Sequence, residues 1–131
     1  MANQVKVSFD NSNQGLLQSN GGSTKISFTN EGLAPYELFL GGFASCLHAT
    51  FKGICSKKKI TFDSATYDVV GEKREEVPTL LKEVTTVITI TGVTPEKQNS
   101  VLKAMEQAER YCSISATINT IAEMKFDVQF K

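Results

Sequence analysis

Three thiols and one imidazole are the residues of this chain with an obvious chemistry: Cys46, Cys55, Cys112 and His48. A thiolate is a nucleophile, and a pair of thiols in one site can pass through sulfenic acid to disulfide and be reset. The cysteine number is odd, and the opening residues MANQVKVSFD carry no apolar run after their charges. A disulfide framework is therefore not expected, and the reducing cytoplasm is the expected compartment. No CxxC occurs. A zinc site would have to combine all three thiols with His48 at none of the usual spacings, so no metal is expected. Gly-rich phosphate loops, GxSxG and HExxH are all missing from the sequence. Ser113 and Ser115 have no base beside them in sequence and read as helix-start hydroxyls.

Helix geometry sorts these candidates. If Cys46, His48 and Cys55 share one helix, Cys55 lies nine positions from Cys46, about 180° round at 100° per residue. The two cannot be joined by a disulfide within one straight helix. His48 falls about 200° from Cys46, too far round to activate it. It reads as a satisfied or interface histidine, and Cys55 as structural. For Cys46 and Cys112 the residues alone leave two readings open. Both could be small core hydrophobes, as free cysteines often are, or they could be reactive thiols.

The elements that must carry them follow from periodicity. Val5, Val7 and Phe9 alternate with polar residues, and short runs at Leu16–Ser19 and Lys25–Thr29 follow, separated by Asn and Gly turns; this predicts a three-stranded meander. Pro35 suits the first turn of a helix from Tyr36 to about Lys58. Its first half is apolar almost all round, so burial on most sides is expected. Gly41 and Gly42 cost helix propensity, which points to close approach by another element. The greasy stretch Leu38–Phe51, broken by small and polar residues, reads as too short to span a bilayer. Ile60–Gly71 and Lys82–Thr91 predict two long strands joined by a charged connection with Pro78. Thr94-Pro95-Glu96 predicts a helix start capped by a hydroxyl. Val101, Met105, Ala108 and Cys112 then form one apolar stripe. Tyr111-Cys112-Ser113 joins a further helix carrying Ile114, Ile118 and Ile121, and Met124–Phe130 alternates as a last strand. The order predicts an α+β fold in one domain over residues 1–131.

Composition agrees with a globular protein. The chain has 131 residues, 40% hydrophobic and 21% charged, which is too apolar for disorder. Fourteen basic residues balance fourteen acidic ones, so the electrostatic footprint of a nucleic-acid binder is missing.

The segment Ala34-Pro35-Tyr36-Glu37-Leu38-Phe39-Leu40-Gly41-Gly42-Phe43-Ala44-Ser45-Cys46 resembles a helix start of the OsmC/Ohr family, the osmotically inducible protein C and organic hydroperoxide resistance proteins. A second cysteine after an amphipathic helix, Cys112, matches the other hallmark. Arg74-Glu75-Glu76-Val77-Pro78 and the Tyr111-Cys112-Ser113-Ile114 joint resemble the OsmC-like branch. The resemblance implies an α+β fold assembled as an intertwined homodimer, with a long buried central helix from each subunit and sites at the interface. It implies a thiol peroxidase for organic hydroperoxides, with Cys46 attacking, Cys112 resolving and an external dithiol as reductant, and with neither cofactor nor membrane nor nucleic acid involved. In the resistance branch a glutamate directly follows the proline and pairs with an N-terminal arginine to activate the attacking cysteine. Here Tyr36 follows Pro35, Glu37 comes one place later, and the only arginines are Arg74 and Arg110. Ser113 stands where that branch has proline. Without a cation, burial is expected to raise the Cys46 thiol and suppress its thiolate, unless Lys6, Lys25 or a partner residue substitutes. The alternative function is a dimeric protein that holds a small apolar or electrophilic ligand with little turnover.

Overall fold

The computed structural model describes residues 2–131. It forms two compact units, residues 1–39 and 40–131. In the first, β1 (Lys6–Phe9), β2 (Gln14–Ser19) and β3 (Gly22–Ser27) make the expected antiparallel meander in the order β1-β2-β3. β3 starts earlier than alternation predicts. Asn20-Gly21 is a two-residue turn that pairs Ser19 directly with Gly22, so pairing begins at once. Only Ile26 and Ser27 are buried along these strands, and Val5, Val7, Phe9 and Phe28 are exposed.

α1 (Pro35–Lys58) begins where its sequence demands. Pro35 occupies the first turn, and Glu37 reaches back so that its Oε1 accepts from the Ala34 N–H at 2.7 Å, half of a capping box. The other end closes without glycine. Lys59 takes a left-handed φ of 57°. The Ile60 N–H donates to the Cys55 carbonyl at 2.9 Å and the Lys59 N–H to Ser56 at 3.3 Å, the paired bonds of a Schellman cap. That cap occupies the residues expected to open a strand, so β4 runs from Ser64 to Lys73 and not from Ile60.

The second unit stacks helices on a three-stranded sheet ordered β4-β5-β6. β5 (Leu81–Thr91) pairs antiparallel with β4 and parallel with β6 (Glu123–Phe130). The crossover to the parallel strand carries a 3₁₀ turn at Pro95–Lys97, α2 (Gln98–Tyr111) and α3 (Ser113–Asn119). Thr94 precedes the turn with no side-chain capping bond, so the predicted capping hydroxyl is not used. Gly92, at φ 77°, lets the chain leave β5 against Asp63, whose side chain occupies the space a Cβ would need.

Phe43, Leu47, Phe51 and Cys55 of α1, four residues apart, pack into one core with Val84, Ile88 and Ile90 of β5 and Val101, Ala104, Met105 and Ala108 of α2. Each large side chain so buried contributes about 1.5–3 kcal/mol. The predicted α2 stripe is therefore the core face, Cys112 included. α1 differs from expectation: it buries this one stripe, not most sides. Gly42, Ser45, Ala49 and Gly53 on the opposite face are exposed, and a Cβ at Gly41 or Gly42 would meet nothing within 4 Å. Among the described residues, no element makes the close approach those glycines suggested. At 24 residues, α1 is also long and apolar enough, by length and composition, to cross a membrane, contrary to the shorter stretch read from sequence. The core helix of a soluble protein meets the same test, and its Phe43–Cys55 stripe is in the core here.

Two core features are open to measurement. Thr86 of β5 is fully buried and its hydroxyl has no hydrogen-bond partner. Thr86→Val is expected to raise stability by about 1 kcal/mol, read from the denaturation midpoint, because it removes an unpaired polar group at nearly constant volume. Glu109 on α2 is pushed up to about 7, first by burial and then by Glu106, with Arg110 opposing. A carboxyl raised on folding destabilises the fold once ionised. The stability advantage of Glu109→Gln should therefore be small near pH 4.5, grow through pH 7 and level off above it.

Candidate functional site

Cys46 and Cys112 reach one another from different elements. Cys46 sits on α1 three positions after Phe43, about 60° round from it, so it lies at the border of the core stripe and is only partly buried. Cys112 ends the α2 stripe and is fully buried. There the chain adopts an extended conformation, φ −67° and ψ 116°, between two helices. The Cys112 N–H closes α2 on the Ala108 carbonyl at 2.8 Å, and its own carbonyl accepts the first bond of α3, from Ala116, at 2.9 Å. This single non-helical residue turns its sulfur and the start of α3 toward α1.

Burial pushes the Cys46 thiol up, but the Ile114 N–H, the Cys112 thiol and the Ser113 hydroxyl and N–H together leave it below the ordinary thiol value. Burial is the largest single influence and raises the thiol, as expected without a cation, but these neighbours together outweigh it. Cys112 moves the opposite way. Burial raises it, the Ser115 N–H lowers it, and the neighbouring Cys46 raises it further. The pair is thus graded, with Cys46 ionising first and Cys112 kept as a thiol. Cys112 Sγ also caps α3, accepting from the Ser115 N–H at 3.4 Å. The capping atom is sulfur, and neither serine hydroxyl supplies it, contrary to the sequence reading.

Glu37 belongs to the N-cap of α1, where it holds the Ala34 N–H. Cys55 lies in the core and burial pushes its thiol up, as a structural cysteine requires. His48 Nδ1 and the Tyr67 hydroxyl lie 2.9 Å apart, with Phe51 and Phe62 packed around the ring. Burial and then Lys52 lower its pKa, so it is a satisfied neutral histidine. Among the described residues no group of three metal-ligating side chains occurs.

An open, mostly apolar groove of about 470 Å³ runs along α1 and α2, lined by Ala49, Thr50, Gly53, Ile54, Gln107 and Tyr111 among others. Ala49, Thr50 and Gly53 follow Cys46 at three, four and seven positions, on the same side of α1. Thr50 is tied to that turn through its hydroxyl, which donates to the Cys46 carbonyl at 3.0 Å. The donors of Ser113 and Ile114 were missed by sequence reasoning. The signal that could have found them was the break between two helices at Cys112, which frees the first N–H groups of α3.

The OsmC-like protein family profile matches residues 28–127. No curated protein matches the sequence. Among solved structures, an OsmC-like protein from Mycoplasma pneumoniae superposes with a TM-score of 0.88 at 16% identity, over 99% of this chain and 97% of that one. A hypothetical protein from Aquifex aeolicus gives 0.80 at 20% identity, over 100% and 98%. The organic hydroperoxide resistance protein OhrB of Bacillus subtilis gives 0.66 at 22% identity, over 96% and 98%. The structural likenesses support the fold, and the profile match over most of the sequence supports descent: this chain belongs to the OsmC-like protein family.

Proposed function

We propose that this protein is a cysteine-based peroxidase that reduces organic hydroperoxides in defence against oxidative stress. The observation that carries the reading is the graded thiol pair: a partly accessible Cys46 held toward its thiolate, in contact with a buried Cys112 held as a thiol. The Cys46 thiolate attacks the terminal oxygen of R–O–OH. The O–O bond breaks, the electron pair leaves on RO⁻, which takes up a proton to become the alcohol, and Cys46 becomes a sulfenic acid. Cys112, having lost its proton, attacks that sulfur; a disulfide forms and hydroxide leaves, protonated to water. An external dithiol then reduces the disulfide by two exchange steps. The mostly apolar groove on the Cys46 side of α1, which Lys57 and Lys58 also line, suits an organic R group better than hydrogen peroxide. Neither metal nor organic cofactor has a part in these steps, and a reducing cytoplasm is the compartment in which the pair is reset.

The working form is a homodimer. Gly41, Gly42 and Ser45 give α1 an exposed stretch of small side chains that lets a second helix approach closely, and the meander leaves Val5, Val7, Phe9 and Phe28 in water. A second copy covering both explains why a 24-residue apolar helix buries only one stripe within its own chain. Sedimentation at micromolar concentration should show a dimer. A stable folded monomer would remove this part of the proposal, and Gly42→Leu, which places a bulky side chain on that face, should shift the dimer toward dissociation.

Cysteine variants test the chemistry with tert-butyl or cumene hydroperoxide and a dithiol reductant. Cys46→Ser should abolish consumption. Cys112→Ser should permit one oxidation and then stall, with Cys46 found by mass spectrometry as sulfenic or higher acid. Mild oxidation of the wild type should yield a 46–112 peptide link. The wild-type rate should reach its plateau below pH ~8.5, the ordinary thiol value. No consumption at any pH by folded wild type would move the assignment to a small-ligand-binding protein.

A further inference from the structure

We infer that Asn20 is a self-modification site: the backbone nitrogen of Gly21 attacks its side-chain amide, and the β2–β3 turn acquires with time an aspartyl or isoaspartyl residue. The inference goes beyond the thiol chemistry and does not depend on it. Asparagine is a thermolabile residue, and Asn20 alone among the asparagines of this chain is followed by glycine. The attacking nitrogen therefore belongs to a residue with no side chain to shield it. Ser19, Asn20, Gly21 and Gly22 are all exposed. The strand pairing passes from Ser19 directly to Gly22, which leaves the Gly21 N–H outside the ladder. That N–H donates to the exposed Ser19 hydroxyl at 3.1 Å, a partner that water can replace. A Cβ at Gly21 would meet only the same hydroxyl, at 3.7 Å, so the approach is open. Asn30 is the contrast. The nitrogen that would attack it belongs to Glu31, which carries a side chain and donates to the buried Ser27 hydroxyl at 3.2 Å.

The step balances with water alone. The Gly21 nitrogen gives up its proton and bonds to the side-chain carbonyl carbon of Asn20. The bond from that carbon to the amide nitrogen breaks, and ammonia leaves with the proton. Water then opens the cyclic imide. Opening at the side-chain carbonyl leaves aspartate. Opening at the main-chain carbonyl leaves isoaspartate, whose main chain runs through the side chain and is longer by a carbon. Nothing is oxidised or reduced. Either product sets a carboxylate on the rim of an open hollow of about 380 Å³ that Lys6 and Gln18 also border. Lys6 stands opposite Gln18 in the β1–β2 pairing, so the new charge forms near a cation. Isoaspartate does more, because the length of a hairpin turn sets the strand register. An extra main-chain carbon between Ser19 and Gly22 should open that pair.

The test is to age the full chain in mildly alkaline buffer made with heavy-oxygen water, native and, in parallel, unfolded in denaturant. Isoelectric focusing and peptide mass spectrometry follow the products. The native chain should shift toward acid by a single charge, with the amide nitrogen lost and a solvent oxygen gained at Asn20. Gly21→Ala, which the open space accommodates, should lose the shift because its methyl group shields the nitrogen. Asn20→Gln should lose it too, since its longer side chain would have to close a larger ring. Asn20→Asp marks the focusing position of the product. In the isoaspartyl fraction the amides of Gln18–Ser23 should exchange hydrogen faster than in Asn20→Asp. A native chain that keeps the Asn20 amide would overturn the inference, whether or not the unfolded chain loses its own, because the folded turn would not then be reactive. So would modification of Asn11 or Asn13 as fast as Asn20, or a Gly21→Ala chain that shifts like wild type. Unchanged exchange in the isoaspartyl fraction would overturn the opening of the Ser19–Gly22 pair.

Discussion

Two cysteines remote in sequence come together only if the chain between the last two helices is held firmly, and the candidate site depends on how Cys112 is fixed there. It precedes α3, a seven-residue helix that marginal helical propensity alone would not sustain. Its geometry is fixed by Cys112, the extended residue between α2 and α3. One side of that residue is locked by the bond to Ala108 and the other by the bond from Ala116. Its sulfur is buried at the end of the α2 core stripe. The core packing that holds α2 on the sheet therefore also sets the position of Cys112 and of the start of α3.

The two thiols differ because their surroundings differ, although both are small apolar side chains carried by helical segments. Cys46 lies at the border of the α1 stripe, only partly buried, and its thiol lies below the ordinary value. Cys112 lies inside the stripe, where burial dominates and the charge next to it opposes a second ionisation. Like charges a few ångströms apart separate the two titrations. Cys55, nine positions from Cys46 and on the core side of α1, is raised by burial, with Lys52 and Lys58 only partly opposing.

Sequence alone carried the order of elements, because hydrophobic period distinguishes strand from helix locally. The β6 alternation, the α2 stripe ending at Cys112 and the meander turns are all local patterns. So is the half-turn separation of Cys46 from Cys55 and His48, since helical rotation per residue is constant. The helix start at Pro35 was legible for the same reason, although the reach of Glu37 back to Ala34 became visible only in the folded chain.

What tertiary structure decided were the quantities that depend on neighbours remote in sequence. The Schellman cap at Lys59 delayed β4, and a lysine in a left-handed conformation is not signalled by propensity. The free face of α1 could not be told from a buried one, because small and apolar residues serve both. Above all, the state of Cys46 could not be read from its own segment. Charged groups are visible in sequence and their absence suggested a suppressed thiolate, whereas backbone N–H groups belong to nearly every residue and acquire direction only when a helix begins. Cys112 provides that beginning, more than sixty positions from the sulfur it serves, and only the folded chain brings the two together.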